Sequence, residues 1–247
     1  MRHLILSDIH ANLTAFDAVL EAANGRWDKA VCLGDVVGYG PDPNEVTDRV
    51  RAVSVVTIRG NHDMAASGLI NAEDFNPIAR AAILWTRGQL HPENRKWLEK
   101  LPSGPLPIDG FHIVHGAIHD EDEYVFAPAQ ALDSLLDAPS PVTFFGHTHV
   151  QGGFALRDNK VEVLHCKPKG GNQFADLKIE PGSIYLLNPG SIGQPRDGDT
   201  RAAFAIADLP NNSVEFWRVT YNIDAVQKRM GDDGLPEPLI RRLSFGR

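Results

Sequence analysis

The chain begins with the segment HLILSDIH at residues 3–10, in which a short apolar run leads directly into Asp8 and His10. The apolar, β-capable residues at 3–7 predict a buried strand. The two polar residues then end the strand, and a helix is expected to run from there to about residue 24. A strand that stops at an acidic and an imidazole side chain sets the pattern for the first half of the chain.

The same order of strand, polar loop and helix recurs twice more. A second apolar run at 30–33 ends in Gly34 and Asp35, and a helix is expected at 44–52 after a turn-rich segment. A third strand at 53–58 ends before another polar segment. Repeated strand–loop–helix units are typical of a largely parallel sheet.

The second half follows a different pattern. Helices are predicted at 77–89, 92–101 and 128–137, with strands at 111–115 and 142–146. Beyond residue 151, short strands alternate with turns, which is antiparallel character; they are predicted at 152–156, 161–164, 183–187, 201–207 and 214–221. Residues 167–182 are expected to be a long polar loop, and 224–230 a final helix. We predict an α/β fold in a single domain over 1–247, with a parallel first half and an antiparallel second half packed as two sheets.

Composition excludes several classes of function. The 247 residues carry 24 Lys and Arg against 32 Asp and Glu, a net charge of −8, which disfavours general binding to nucleic acid or anionic membranes. The net charge does not exclude small anionic substrates, because a bound metal ion can make the electrostatic potential inside one cleft positive. Two cysteines cannot build a disulfide framework, and no stretch resembles a signal peptide or approaches the roughly 18 apolar residues of a membrane span. We expect a soluble, cytoplasmic protein without a membrane partner; the sequence leaves the oligomeric state open.

Metal-binding residue types follow successive predicted strands. In an open α/β sheet, ligands bind beyond the carboxyl ends of the strands, where the loops converge. Each residue alone is more often a helix cap, a turn residue or a structural histidine. Their joint occurrence is the signal, and the candidates are Asp8, His10, Asp35, Asn61, His62, His115, His147 and His149.

The spacing and chemistry of these residues favour divalent metal ions. We expect Asp8 and His10, and likewise His147 and His149, to project to one side of an extended backbone. Carboxylate, imidazole and amide donors suit Mn, Fe, Ni, Co or Zn without any thiolate. Seven candidate ligands exceed the needs of one tetrahedral site and suffice for two ions that share a carboxylate. Two neighbouring metal ions are suited to in-line displacement at phosphorus.

Taken in order, five segments resemble the motifs of the calcineurin-like metallophosphoesterase superfamily. They are Asp8-x-His10, Gly34-Asp35, Gly60-Asn61-His62-Asp63, Val114-His115-Gly116 and Gly146-His147-x-His149. The resemblance implies a two-sheet α/β sandwich flanked by helices, in agreement with the pattern of predicted elements. It extends from residue 8 to 149 and plausibly on through the turn at 188–191.

The resemblance also implies residue roles. Asp8, His10 and His149 would bind the first metal ion; Asn61, His115 and His147 would bind the second; and Asp35 would bridge both. His62 would be a catalytic histidine close to the substrate. Asp63, which replaces the Glu common in this block, would orient it. Asn61, His62 and Arg196 are the candidate substrate contacts, although turn-rich loops like the one that carries Arg196 more often serve only as strand connections.

The expected function is di-metal-dependent hydrolysis of a phosphodiester or phosphomonoester by a metal-bridging hydroxide. Alternatives are a nucleotide pyrophosphohydrolase or protein phosphatase of the same superfamily, or a non-catalytic interaction module on this fold. The complete set of ligand positions favours an enzyme. Among residues near the motifs, Arg59 is expected in a surface or ion-pair role, Asn12 as a helix cap, His112 as structural, and 120–123 as a solvated loop.

Overall fold

The computed structural model describes residues 1–169 and 173–247, and within these ranges it contains twelve strands and eight α-helices. The strands are β1 His3–Leu6, β2 Lys29–Cys32, β3 Ser54–Thr57, β4 Leu106–Ile108, β5 Phe111–Ile113, β6 Val142–Phe144, β7 Gly152–Arg157, β8 Lys160–Leu164, β9 Phe174–Lys178, β10 Ile184–Asn188, β11 Ala202–Asp208 and β12 Ser213–Val219. The helices are α1 Leu13–Ala23, α2 Pro43–Val53, α3 Asn61–Ser67, α4 Pro77–Gln89, α5 Pro92–Leu98, α6 Pro128–Leu136, α7 Ile223–Asp232 and α8 Glu237–Arg242.

The strands form two mixed six-stranded sheets. The first sheet has the order β3-β2-β1-β11-β12-β9, with β1, β2 and β3 parallel and β11 antiparallel to β1. The second sheet has the order β4-β5-β6-β10-β7-β8, with β5, β6 and β10 parallel. The first-half strands β1, β2 and β3 pair in parallel, and the strands beyond residue 151 pair antiparallel with one another, as predicted. The two halves do not form separate sheets, however, because each sheet contains strands from both. Strands from the second half of the chain lie in both sheets: β10 pairs with β6 in the second sheet, and β11 pairs with β1 in the first.

The loop predicted over 167–182 was also wrong in part. Strand β9 lies within it and pairs with β12 at the edge of the first sheet, where Phe174 lies opposite Trp217. Its residues alternate between exposed and half-buried, so they lack the continuous apolar run on which the prediction relied. Positions 170–172 of that predicted loop lie outside the described residues. The short elements β4, α3 and α8 were not predicted at all.

The core lies between the sheets and on their outer faces. Alternate residues of β1 point to opposite sides, so Ile5 packs between the sheets while Leu4 and Leu6 face the layer that contains α1 and α2. From the second sheet, Phe144 and Tyr185 fill the inner layer. Helix α6 covers that sheet's outer face. The sandwich flanked by helices is thus confirmed. No helix among the described residues combines the length and apolar character that a membrane span needs.

The first testable prediction concerns the layer between the sheets. Phe144 is 0% exposed and meets Phe111 edge to face, with ring centroids 5.4 Å apart. We expect Phe144→Ala to lower the free energy of unfolding by about 3–5 kcal/mol, because it removes a buried ring and leaves a cavity. Urea unfolding measures the loss. Leu136→Ala, at a 60% exposed position on α6, is the control and should change little. Equal effects of the two substitutions would contradict the assigned core.

Candidate metal centre

The structure brings the predicted ligands together in two buried groups. Asp8, His10, Asp35 and His149 offer ligand atoms that all lie within 4.8 Å of one another, and so do Asp35, His115 and His147. Each of these residues lies in the loop that follows a strand, as the sequence predicted. Asp35 belongs to both groups: its Oδ2 lies 3.5 Å from His10 Nε2 and 3.6 Å from His115 Nε2. One carboxylate therefore lies between two sets of donors.

Backbone carbonyl groups fix which nitrogen of each imidazole faces the centre. The Nδ1 atoms of His10, His115 and His149 donate to the carbonyls of Val37, Leu33 and Gln194 at 3.1, 2.8 and 2.7 Å. These rings are therefore protonated on Nδ1 and present an unprotonated Nε2.

His147 has the opposite tautomer. Its Nε2 donates to the carbonyl oxygen of Asp122 at 3.1 Å, which leaves Nδ1 as the free donor atom. Because Asp122 lies in the 120–123 segment, that segment is not simply a solvated loop as predicted: its backbone orients a candidate ligand. No feature of the local sequence signals this contact.

Several polar atoms of the centre fit a bound cation. His10 Nε2 and His149 Nε2 are 3.1 Å apart, and two unprotonated nitrogens at that distance repel unless a cation lies between them. Within the described part of the chain, buried Asn61 Oδ1 and His115 Nε2 have no hydrogen-bond partner. Buried polar groups are normally paired, so atoms of this kind mark a ligand site. The residues therefore fit divalent metal ions, including Asn61 as an amide ligand.

Burial sets the protonation of the candidate ligands. It lowers the pKa of His149 well below its ordinary value, with the Arg196 guanidinium adding to the shift, and it lowers the pKa of His147 to about 2. Burial raises the pKa of Asp8 and of Asp35. For His115, by contrast, the Asp35 and Asp8 carboxylates overcome the effect of burial and raise the pKa. Neutral imidazoles and buried carboxylates are the forms that a divalent cation stabilises.

The backbone at the ligands is left-handed, not extended as predicted from the i, i+2 spacing. The φ angles are 51° at Asp8, 48° at His10, 52° at Asp35, 66° at His147 and 60° at His149. The chain reverses directly after each strand, and this conformation costs a non-glycine residue on the order of 1–2 kcal/mol. Five strained residues in one centre are typical of a functional site, where surrounding contacts hold the strain.

Gly60 and Asp63 hold the loop that carries Asn61. A Cβ atom on Gly60 would lie 2.1 Å from Asp35 Oδ1, so no other residue fits there. The two carboxylate oxygens of Asp63 accept hydrogen bonds from the N–H groups of Gly60 (3.0 Å) and Val37 (3.1 Å). Asp63 is therefore fully occupied with backbone groups. These contacts orient the backbone of the loop and not the His62 ring, whose Nδ1 has no hydrogen-bond partner among the described residues.

A cleft of about 310 Å³ opens beside the centre. It is reached by the predicted site residues Asn61, His62 and His147. The other lining residues include three aromatic and four short polar side chains: Tyr39, Phe75, Tyr124, Asn71, Asp74, Asn76 and Asp122. The ring of His62 contacts those of Tyr39 and Phe75, with centroids 4.3 and 5.3 Å away.

Arg196 lies beside the cleft, against the ring of the lining residue Tyr39. Its guanidinium carbon is 5.6 Å from the Tyr39 ring centroid, and its charge lowers the pKa of His62 in addition to burial. Tyr39 was not predicted as a site residue, although its position between Gly38 and Gly40 in a turn-rich segment could have indicated one. Tyr124 carried no such signal.

The expectations for Arg59, Asn12 and His112 are confirmed. Arg59 forms an ion pair with Glu121, with Nε and Oε1 3.1 Å apart. Asn12 caps α1 by accepting from the Ala15 N–H. His112 is bonded through Nδ1 to the Ser140 hydroxyl, away from the centre. None of these three residues needs a role in chemistry.

A two-sheet sandwich with paired His and Asp ligand sets at its strand ends is the arrangement of a metallophosphoesterase. The family model described as the calcineurin-like phosphoesterase superfamily domain matches residues 1–212, and the chain belongs to this superfamily.

Similar proteins span nearly all of the chain. The crystal structure of a metallophosphoesterase from Sphaerobacter thermophilus is 39% identical, with a TM-score of 0.85, and covers 100% of this chain and 99% of its own. An uncharacterized protein of Methanocaldococcus jannaschii is 33% identical over 98% of this chain and 97% of its own length. The phosphodiesterase YfcE of Escherichia coli is 27% identical over 78% of this chain and 95% of its own.

The second testable prediction concerns Asp35. We expect Asp35→Asn to lower the metal affinity of both ligand sets by on the order of 10–100-fold or more, because the carboxylate charge faces both. Metal analysis after gel filtration measures ions per chain. Asp199→Asn, which removes a largely buried carboxylate paired with Arg201, is the control. Full metal content in the Asp35 variant would contradict a shared carboxylate.

Proposed function

We propose that the protein is a divalent-metal-dependent hydrolase of small phosphodiesters or phosphomonoesters. The observation that carries the proposal is the shared Asp35, which joins two buried donor sets beside a cleft. Membership of the phosphoesterase superfamily gives the reaction class, and similarity to a phosphodiesterase supports it. Hydrolysis at phosphorus is the chemistry to which paired metal sites are best suited.

Each ligand set would hold one metal ion. Asp8, His10 and His149 would bind the first; Asn61, His115 and His147 the second; and Asp35 would contact both. When bound, two divalent cations supply the Lewis acidity that activates water and neutralises the phosphoryl oxygens. The mixed oxygen and nitrogen donors suit Mn, Fe, Ni, Co or Zn, and they give no reason to prefer one of these.

The remaining residues bind substrate and move a proton. His62 lines the cleft, where burial keeps its pKa low in the free protein. A bound phosphoryl anion would raise that pKa, so that His62 can donate a proton to the departing oxygen of the ester. Arg196 brings a positive charge close to the cleft, where it can bind an anionic group of the substrate. Asn61 also lines the cleft, and Asp63 fixes the backbone of the loop that carries Asn61 by accepting from the Gly60 N–H.

The lining of the cleft favours small substrates. Asp74 and Asp122 place carboxylates on its walls and would repel a long polyanion. Together with the net charge of −8, this argues against nucleic acid as a general partner. We infer a small phosphate ester as the partner and the cytoplasm as the site of action. A non-catalytic module is disfavoured, because each ligand position carries a donor residue.

An activity panel tests the proposal. Metal-free protein, reconstituted separately with Mn²⁺, Co²⁺, Ni²⁺ and Zn²⁺, is assayed on phosphomonoesters, linear and cyclic phosphodiesters, dinucleoside polyphosphates and a phosphopeptide. We expect metal-dependent hydrolysis of at least one small ester. Preference for the anhydride would favour a pyrophosphohydrolase, and preference for the phosphopeptide a protein phosphatase. Absence of hydrolysis with every metal would overturn the proposal.

The third testable prediction concerns His62. If His62 protonates the leaving group, His62→Ala should keep the metal ions and lower kcat by on the order of 10²–10⁴-fold for an alkyl ester. A p-nitrophenyl ester should lose much less, since nitrophenolate leaves readily without a proton. Metal analysis beside kcat for both esters gives the answer. His112→Ala is the control, because that imidazole bonds Ser140 outside the centre.

Other results would assign His62 differently. Equal losses on both esters would indicate an electrostatic role at the phosphoryl oxygens. Lost metal would make His62 a ligand. Unchanged kcat on both esters would remove it from the mechanism.

A further inference from the structure

Two arginines from distant parts of the chain converge on one side-chain oxygen. Arg196 donates to Gln194 Oε1 from Nη2 at 2.9 Å and from Nε at 3.3 Å. Arg242, near the C-terminus, donates to the same oxygen from Nη1 at 3.0 Å. A single neutral amide oxygen thus holds two guanidinium groups together.

Neither guanidinium forms an ion pair with any residue in the described part of the chain. Neighbouring arginines do: Arg241 pairs with Glu237, and Arg229 pairs with Asp42. The chain has 32 Asp and Glu, so the missing carboxylate is not due to a shortage of acidic residues. Burial lowers the pKa of Arg242, and the nearby Arg196 charge lowers it further. Two half-buried like charges that form no ion pair are a costly arrangement, which a bound anion would relieve.

The arginine pair lies next to the metal centre. The backbone carbonyl of Gln194 orients His149, while its side chain holds both guanidiniums. A small cavity of about 60 Å³ is lined by Arg242, and it shares Tyr39, Asn76 and Ala79 with the main cleft. A substrate in the main cleft can therefore extend towards Arg242 past one aromatic ring.

The C-terminal helices supply this part of the site. Arg242 ends α8, and both α7 and α8 lie beyond residue 212, where the match to the superfamily model stops. Leu239 and Leu243 pack in one apolar cluster with Tyr39 and Ala79, so the helix is anchored to the cleft wall. Arg196 lies within the matched range and Arg242 beyond it, so the pair forms where the C-terminal helices pack against the matched domain.

We propose that Arg196 and Arg242 bind a second anionic group of the substrate, a phosphate or carboxylate, while the ester to be cleaved lies at the metal centre. This inference rests on the proposed function and narrows its substrate class to molecules with two anionic groups. Paired guanidiniums present several N–H donors in a fixed fork, which matches the oxygens of phosphate and carboxylate. The rest of the cleft wall carries Asp74 and Asp122, so the second group is directed to the arginine end.

The test compares substrates that differ only in the second group. One pair is the p-nitrophenyl ester of thymidine 5′-phosphate with and without a 3′-phosphate; the other is adenosine 3′,5′-bisphosphate and adenosine 5′-monophosphate, which share the 5′-ester and differ only in the 3′-phosphate. We expect the doubly anionic member of at least one pair to have the higher kcat/KM. In Arg242→Gln this preference should fall on the order of 10–100-fold, the loss expected for a charge-assisted hydrogen bond.

Matched variants distinguish the loss of the Arg242 charge from a general loss of stability. Arg241→Gln removes the adjacent arginine of the same helix, which is 74% exposed and pairs only across one helical turn with Glu237; it should leave the preference intact. Arg242→Lys should restore part of it, because the positive charge remains while the fork is lost. Melting temperatures confirm that each variant is folded.

The remaining outcomes overturn the inference or the function separately. No preference for either doubly anionic substrate, or a preference that survives in Arg242→Gln, would overturn the inference while hydrolysis itself persisted. An effect of Arg242→Gln confined to inhibition by inorganic sulfate would assign the site to a free anion and also overturn it. Wild-type protein that cleaves none of these compounds nor any ester of the activity panel would instead overturn the proposed function.

Discussion

The carboxylate of Asp8 holds the two sheets together at the site. It follows a strand of the first sheet, yet both of its oxygens accept from the backbone N–H of His147, which follows a strand of the second sheet, at 3.2 Å. Ser7 adds a hydroxyl donor at 2.7 Å. Because these bonds join loops from separate sheets, the two donor sets that meet at Asp35 depend on them. The arrangement also explains why Gly146 is needed: a Cβ there would lie 2.2 Å from the Ser7 hydroxyl.

The sequence was sufficient to predict which side chains come together, but not their conformation. The chemistry at the end of each strand is local, and Asp8, His10, Asp35, His115 and His147 could be recognised from residue type and order alone. The left-handed backbone at these residues comes from the reversal of the chain between packed strands. That reversal depends on tertiary contacts, so the spacing within a motif did not reveal it.

The sequence also failed to predict features that depend on contacts between distant parts of the chain. Strand β9 is an edge strand stabilised by β12, and its half-polar sequence gives a weak local signal. Arg242 is 46 residues from Arg196 in sequence, and only the folded chain brings both to Gln194. Residue patterns predict strands and sequence motifs. The side chains that surround a site often come from other elements, which carry no motif that would identify them.

The position of β11 has a consequence for how the protein is made. Strand β1 pairs with β11, so Leu4 lies beside Ile206 in the middle of the first sheet. Contacts between such distant residues are slow to form, because a long loop must close before they give any stabilisation. On the ribosome, the first sheet stays incomplete until β11 and β12 have emerged. The donor groups at its end would then assemble late in synthesis, so a nascent chain would scavenge little metal before its core had closed around them.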